Sequence, residues 1–126
     1  MHKKTVTSSG APAPIGPYSQ GVVAGGFLFV SGQVAIDPAT GEVVAGDVVP
    51  QTEQVLKNLA AILREAKLGP DSVVKTTVYL TDLEDFPRMN AVYARYFGTD
   101  APARSTVQVA GLPKGVAVEI DVIAAF

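Results

Sequence analysis

The C-terminal run Val116-Ala117-Val118-Glu119-Ile120-Asp121-Val122-Ile123-Ala124-Ala125-Phe126 is too apolar to leave in water and too charged to bury on every side. Strand side chains alternate between the two sides of a sheet. Val116, Val118, Ile120 and Val122 therefore share one side, and Ala117, Glu119, Asp121 and Ile123 share the other. A segment like this needs a sheet, and its valine side needs an apolar cover.

Two helices are available to supply that cover. In the first, Asp47 is placed to cap, Pro50 suits the first turn, and Val55, Leu59, Ile62 and Ala66 recur at helical spacing, with Leu56 and Leu63 widening the stripe. Gly69-Pro70 ends it. The second begins near Thr81 or Asp82 and takes its apolar side from Phe86, Met89, Val92, Tyr93 and Tyr96-Phe97, before Gly98 and Pro102. Strands are read at 3–7, at 20–24 and 27–31 around the Gly25-Gly26 hairpin turn, at 72–80 and 104–109, and at 116–125. Val34 to Ile36 extends the third strand. In the strand at 72–80, Val74, Thr76, Val78 and Leu80 share one face, and Val73, Lys75, Thr77 and Tyr79 the other. The order β-β-β-α-β-α-β-β describes an α+β fold with two helices on one face of a mixed sheet. Residues 1–126 are read as one domain.

Composition narrows the chemistry. The absence of cysteine removes disulfides, thiolate catalysis and cysteine-zinc sites. The only histidine is His2, so a histidine-built metal site and a Ser-His-Asp triad are not expected. A net charge of −2 gives no broad electrostatic case for nucleic acid or an anionic membrane. No apolar run approaches the roughly 20 residues that span a bilayer, and the first residues lack the apolar core of a signal peptide. A cytoplasmic protein without a transition metal is expected. Only 17% of residues are charged, which suggests that another subunit covers part of the surface.

The remaining question is what Glu119 and Asp121 are for. With valines toward the helices, Val107 and Val109 would point inward, and Arg104, Thr106 and Gln108 would emerge beside Glu119 and Asp121. The segment "AGLPKG" is long enough for a direct hairpin between the last two strands, and also for a step to a non-adjacent position. The mixed face so formed is either a solvated surface with a rim ion pair, worth little, or a face packed on another sheet or subunit, where charges are partly desolvated and interact more strongly.

The stretches "GPYSQ", "FVSGQ", "MNAVYARYF", "PARSTVQVAGLPKG" and "VEIDVIAAF" resemble the reactive intermediate deaminases, the Rid or YjgF family, and its RidA branch most of all. The resemblance runs from about Ala11 to Phe126. It implies a chorismate-mutase-like fold, a homotrimer whose sheets form a central barrel, and three clefts between subunits. The implied reaction is the hydrolysis of 2-imino acids, such as 2-iminobutanoate and 2-iminopropanoate, to 2-oxo acids and ammonia without a cofactor. Arg104 becomes the carboxylate anchor, because a planar guanidinium meets a carboxylate at two points. Glu119 becomes the base that activates water. The resemblance also places Tyr18, Ser31, Gly32, Asn90, Thr106 and Phe86 at the substrate. Many relatives carry cysteine where this chain has Thr106. Asp121 is read as structural, as are Lys114 and Gln33. Two rival readings stay open: an RNA-cleaving translation inhibitor, and a trimer that binds oxo acids without turnover.

Overall fold

The computed structural model describes residues 2–126. In chain order the elements are β1 (Lys4–Val6), β2 (Gly21–Ala24), β3 (Phe27–Gln33), α1 (Val48–Glu65), β4 (Val73–Leu80), α2 (Phe86–Phe97), β5 (Ala103–Gln108) and β6 (Val118–Ala125). This is the expected α+β order. One six-stranded mixed sheet runs β1-β2-β3-β6-β4-β5. Gly25 and Gly26 both take positive φ, as the tight β2–β3 hairpin requires.

β3 and β4 are both antiparallel to β6, and β5 is parallel to β4. The chain therefore moves twice in one direction across the sheet through a helix, first via α1 and then via α2. Such crossovers share one hand, which sets both helices on the same face. Leu28, Leu59, Ile62, Leu63, Val78, Leu80, Met89, Val118 and Ile120 are fully buried between the layers. Asn58, itself fully buried, donates to the carbonyls of Val34 (3.2 Å) and Ile36 (3.0 Å) and so ties the chain after β3 to α1. Asp47 caps α1 through the Val49 amide, as its position predicts.

Several boundaries differ from the sequence reading. Residues 34–36 do not extend β3; Ile36 forms only an isolated bridge to Val43. α2 begins at Phe86, because Asp82 instead caps the single turn Leu83–Asp85 through the Glu84 amide. A bulge between Val73 and Lys75 resets the alternation of β4, so Val73 is buried and Val74 exposed, the reverse of strict alternation. No hairpin joins β5 and β6. Residues 109–117 step over the end of β4, where the Val109 amide meets the Leu80 carbonyl and the Thr81 amide meets that of Ala117.

The largest correction concerns β5. Its parallel register pairs Thr76 with Arg104, Val78 with Thr106 and Leu80 with Gln108. Those β4 residues face the helices, so Arg104, Thr106 and Gln108 do too. Val107 lies on the open face, 42% exposed. The valine rule fails here because the open face is itself apolar, carrying Phe29 and Ile123 in register with one another.

Candidate active site

Glu119 stands on the open face near the start of β6, directly opposite Tyr79 on β4. On its other side β3 is bulged: Val30 pairs with Val122 and Gln33 with Ile120, so Ser31 and Gly32 together oppose Asp121. The bulge brings backbone under the Glu119 side chain. A Cβ on Gly32 would overlap that carboxylate, lying 2.8 Å from its carboxyl carbon. Glycine is what allows the approach.

A cleft of about 350 Å³ opens over this point, with Pro12, Ile15, Tyr18, Gly32, Pro113 and Glu119 in its wall. The lining is mostly apolar. Burial is the main cause that raises the proton affinity of Glu119, and the Asp121 charge adds to it. The Pro-rich loop that forms the outer wall is stiffened by Gln20. That buried amide accepts from the Ser8 amide (2.6 Å) and donates to the carbonyls of Ser8 and Pro12 (3.1 and 2.8 Å). Local pattern gives Gln20 no role beyond closing "GPYSQ"; the signal for its anchoring task is a polar residue that directly follows a Pro-rich loop. Ser31 lines the cleft, but its hydroxyl donates to the Ser19 carbonyl and anchors the same loop. The Tyr18 hydroxyl accepts from the Ile15 amide at 3.3 Å, which leaves its own proton free to donate.

A second cluster forms on the helix face at the sheet edge. Arg104 donates to Asn90 Oδ1 at 2.8 Å, and its guanidinium carbon lies 4.6 Å from the Tyr93 ring centre and 5.2 Å from that of Phe86. Tyr93 is buried and fixed by a 2.7 Å hydrogen bond with Thr76. The ring, read from sequence only as part of the apolar side of α2, is the floor on which Arg104 rests. Thr106 follows two positions along the same face. Arg104, Asn90 and Phe86 are thus together, and Tyr18, Ser31, Gly32 and Glu119 are together. Within one chain the two groups are on opposite faces with β4 between them. The expectation that Arg104 and Thr106 share a face with Glu119 is overturned by the β4–β5 register. Among the described residues, ion pairs link Arg88 to Asp47 and Asp85, and Arg95 to Glu53; neither Arg104 nor Glu119 has an ionic partner.

The chain is a two-helix α+β fold with an aromatic-seated arginine at the sheet edge and a glutamate in an apolar cleft, neither of them ion-paired among the described residues. A family model described as Endoribonuclease L-PSP matches residues 8–126. A RutC family protein of Pyrococcus horikoshii is 54% identical over 122 residues, covering 97% of each chain. A mouse protein named 2-iminobutanoate/2-iminopropanoate deaminase is 48% identical over 122 residues, covering 97% of this chain and 90% of that one. The crystal structure of the YjgF gene product from E. coli superposes with a TM-score of 0.92 at 48% identity, covering 97% and 98% of the two chains. The chain belongs to the Rid/YjgF (L-PSP) family.

No helix among the described residues is long and apolar enough to cross a membrane.

Proposed function

We propose that the protein hydrolyses 2-imino acids, 2-iminobutanoate and 2-iminopropanoate among them, to 2-oxo acids and ammonia. The observation that carries the reading is that Arg104 and Glu119, opposite in charge and both unpaired, are each held ready by their own surroundings. We further propose that they meet between copies. In a homotrimer with inward-facing sheets, the apolar face bearing Phe29, Val107 and Ile123 would be covered. Each of three clefts would then take Glu119 from one protomer and Arg104 from its neighbour.

In that cleft the substrate carboxylate receives two parallel hydrogen bonds from Arg104. The protonated C=N carbon lies toward Glu119. As a water oxygen bonds to that carbon, the C=N pair moves to nitrogen and Glu119 takes the water proton. The protonated glutamate then returns that proton to the amino group. Ammonia leaves as the carbinolamine hydroxyl loses its proton and the carbonyl forms; the last proton passes through Glu119 to solvent. The raised proton affinity of Glu119 suits a group that must both accept and donate. Orientation and one proton relay are the chain's contribution.

The test couples a threonine dehydratase, which releases 2-iminobutanoate, to detection of 2-oxobutanoate. Faster oxo-acid formation with the protein is expected; an unchanged rate rejects the reading for this substrate. The description of the matched family model keeps RNA cleavage as the rival. Salt-dependent RNA binding that lysine substitutions abolish and Arg104→Lys leaves intact would favour that rival.

A further inference from the structure

Glu119 and Asp121 project from β6 on the same face, two residues apart. Tyr79 stands directly across from Glu119 in the ladder, yet its hydroxyl reaches diagonally and donates to Asp121 Oδ2 at 2.8 Å. The two carboxylates therefore differ in their surroundings. Asp121 has a dedicated donor; among the described residues Glu119 has none, and it faces the apolar cleft over Gly32. The other ionisable groups around Glu119 are few. Tyr18 comes from the loop, and Lys114 follows the cleft-lining Pro113; β3 contributes only the uncharged Ser31 and Gly32 at this point.

We propose that Tyr79 and Asp121 form a positioning pair: the phenol pins the aspartate so that its negative charge stays fixed beside Glu119, the carboxyl that relays the proton in the cleft. The pair touches no reacting atom. It acts through Glu119, and so rests on the reading of Glu119 as the proton acceptor of the cleft. Two carboxylates this close divide their protons according to environment. A negative charge fixed beside Glu119 favours the proton on Glu119. The Tyr79 hydroxyl is correspondingly harder to ionise, with its bond to Asp121 as the main cause.

The experiment follows the side-chain carboxyl carbon of Glu119 by NMR through a pH titration of the full chain, with no substrate present. Asp121→Asn keeps the shape and an acceptor for Tyr79 while removing the charge; its Glu119 midpoint is expected to fall by about half a pH unit or more. Asp121→Ser, smaller and uncharged, is expected to lower it likewise. Tyr79→Phe is expected to broaden the Glu119 titration, because the neighbouring charge is no longer held in one place. Added to Asp121→Asn, Tyr79→Phe should produce no further change. An unmoved midpoint in both Asp121 variants overturns the proposal, as does a Tyr79→Phe effect that survives in the Asp121→Asn background. Because the readout is independent of turnover, a chain inactive toward imines that still shows these shifts would reject the deaminase reading and leave the electrostatic pair standing.

Discussion

Arg104 and Glu119 lie on opposite faces of one sheet, separated by β4 and by two strand spacings, roughly 9–10 Å along the sheet. Within one chain they do not share a hollow. A site that uses both must draw them from different copies, and that has a direct consequence. Arg104→Ala and Glu119→Gln variants, each inactive alone, should recover activity when co-refolded. An equal mixture should give about a quarter of the wild-type rate, since each interface draws its two sides independently. No recovery, with mixed oligomers demonstrated by mass spectrometry, would place the site within one chain or elsewhere.

Arg104→Lys preserves charge but not the planar fork. Weakening one charge-assisted hydrogen bond costs about 1.5–3 kcal/mol, which predicts a roughly 10- to 150-fold loss in kcat/KM. Lysine also loses the flat stacking on Tyr93 and Phe86. Steady-state kinetics on 2-iminobutanoate reads this, and full activity in the variant would remove the two-point anchor.

Glu119→Gln should reduce hydrolysis by about 10²- to 10⁴-fold while 2-oxobutanoate still binds, as calorimetry can show. Stability should move the other way. The proton affinity of Glu119 is raised above its usual 4.5 in the folded chain, first by burial and then by Asp121. Its stabilising contribution is therefore present below 4.5 and lost as pH rises through the folded value. Glu119→Gln should raise Tm at pH 7, with the gain shrinking toward zero as pH falls below 4.5. The wild-type rate should fall with acid in the same window, as the base becomes protonated.

Gly32→Ala places a methyl group where the Glu119 carboxylate sits. The strand still pairs, so the fold should persist while the carboxylate swings aside. A displacement near 1 Å predicts a loss of about 10²-fold in kcat. Unchanged kcat would show that the position of Glu119 over Gly32 is not the working one.

Asn58→Ala removes the side-chain donor from the part-buried carbonyl of Val34 and the buried carbonyl of Ile36. The Val34 carbonyl keeps the Ile36 amide (2.8 Å), so one buried carbonyl, that of Ile36, is left without a partner, at about 1–3 kcal/mol. Urea unfolding should show a matching fall in stability. A loss well under 1 kcal/mol would mean that water replaces the amide.

The local chemistry of the chain was readable along its length. Apolar spacing and capping placed α1, Gly25-Gly26 placed the hairpin, and the alternation of β6 assigned its buried side correctly. The motifs around Tyr18, Gly32, Asn90, Arg104 and Glu119 pointed to one family before any coordinates. Sequence reading went wrong where a local pattern needed a neighbour to be interpreted. The bulge after Val73 reversed the faces at the start of β4. In β5, alternation told which residues go together but not which way they face. With apolar residues on both sides of the sheet, hydrophobicity held no answer, and the parallel register with β4 decided it. Periodicity is a property of one segment and is written in the order of its residues. Which side of a strand meets the helices, and which carboxylate receives a tyrosine, depends on partners far away in the chain, and only the packed sheet brings them together.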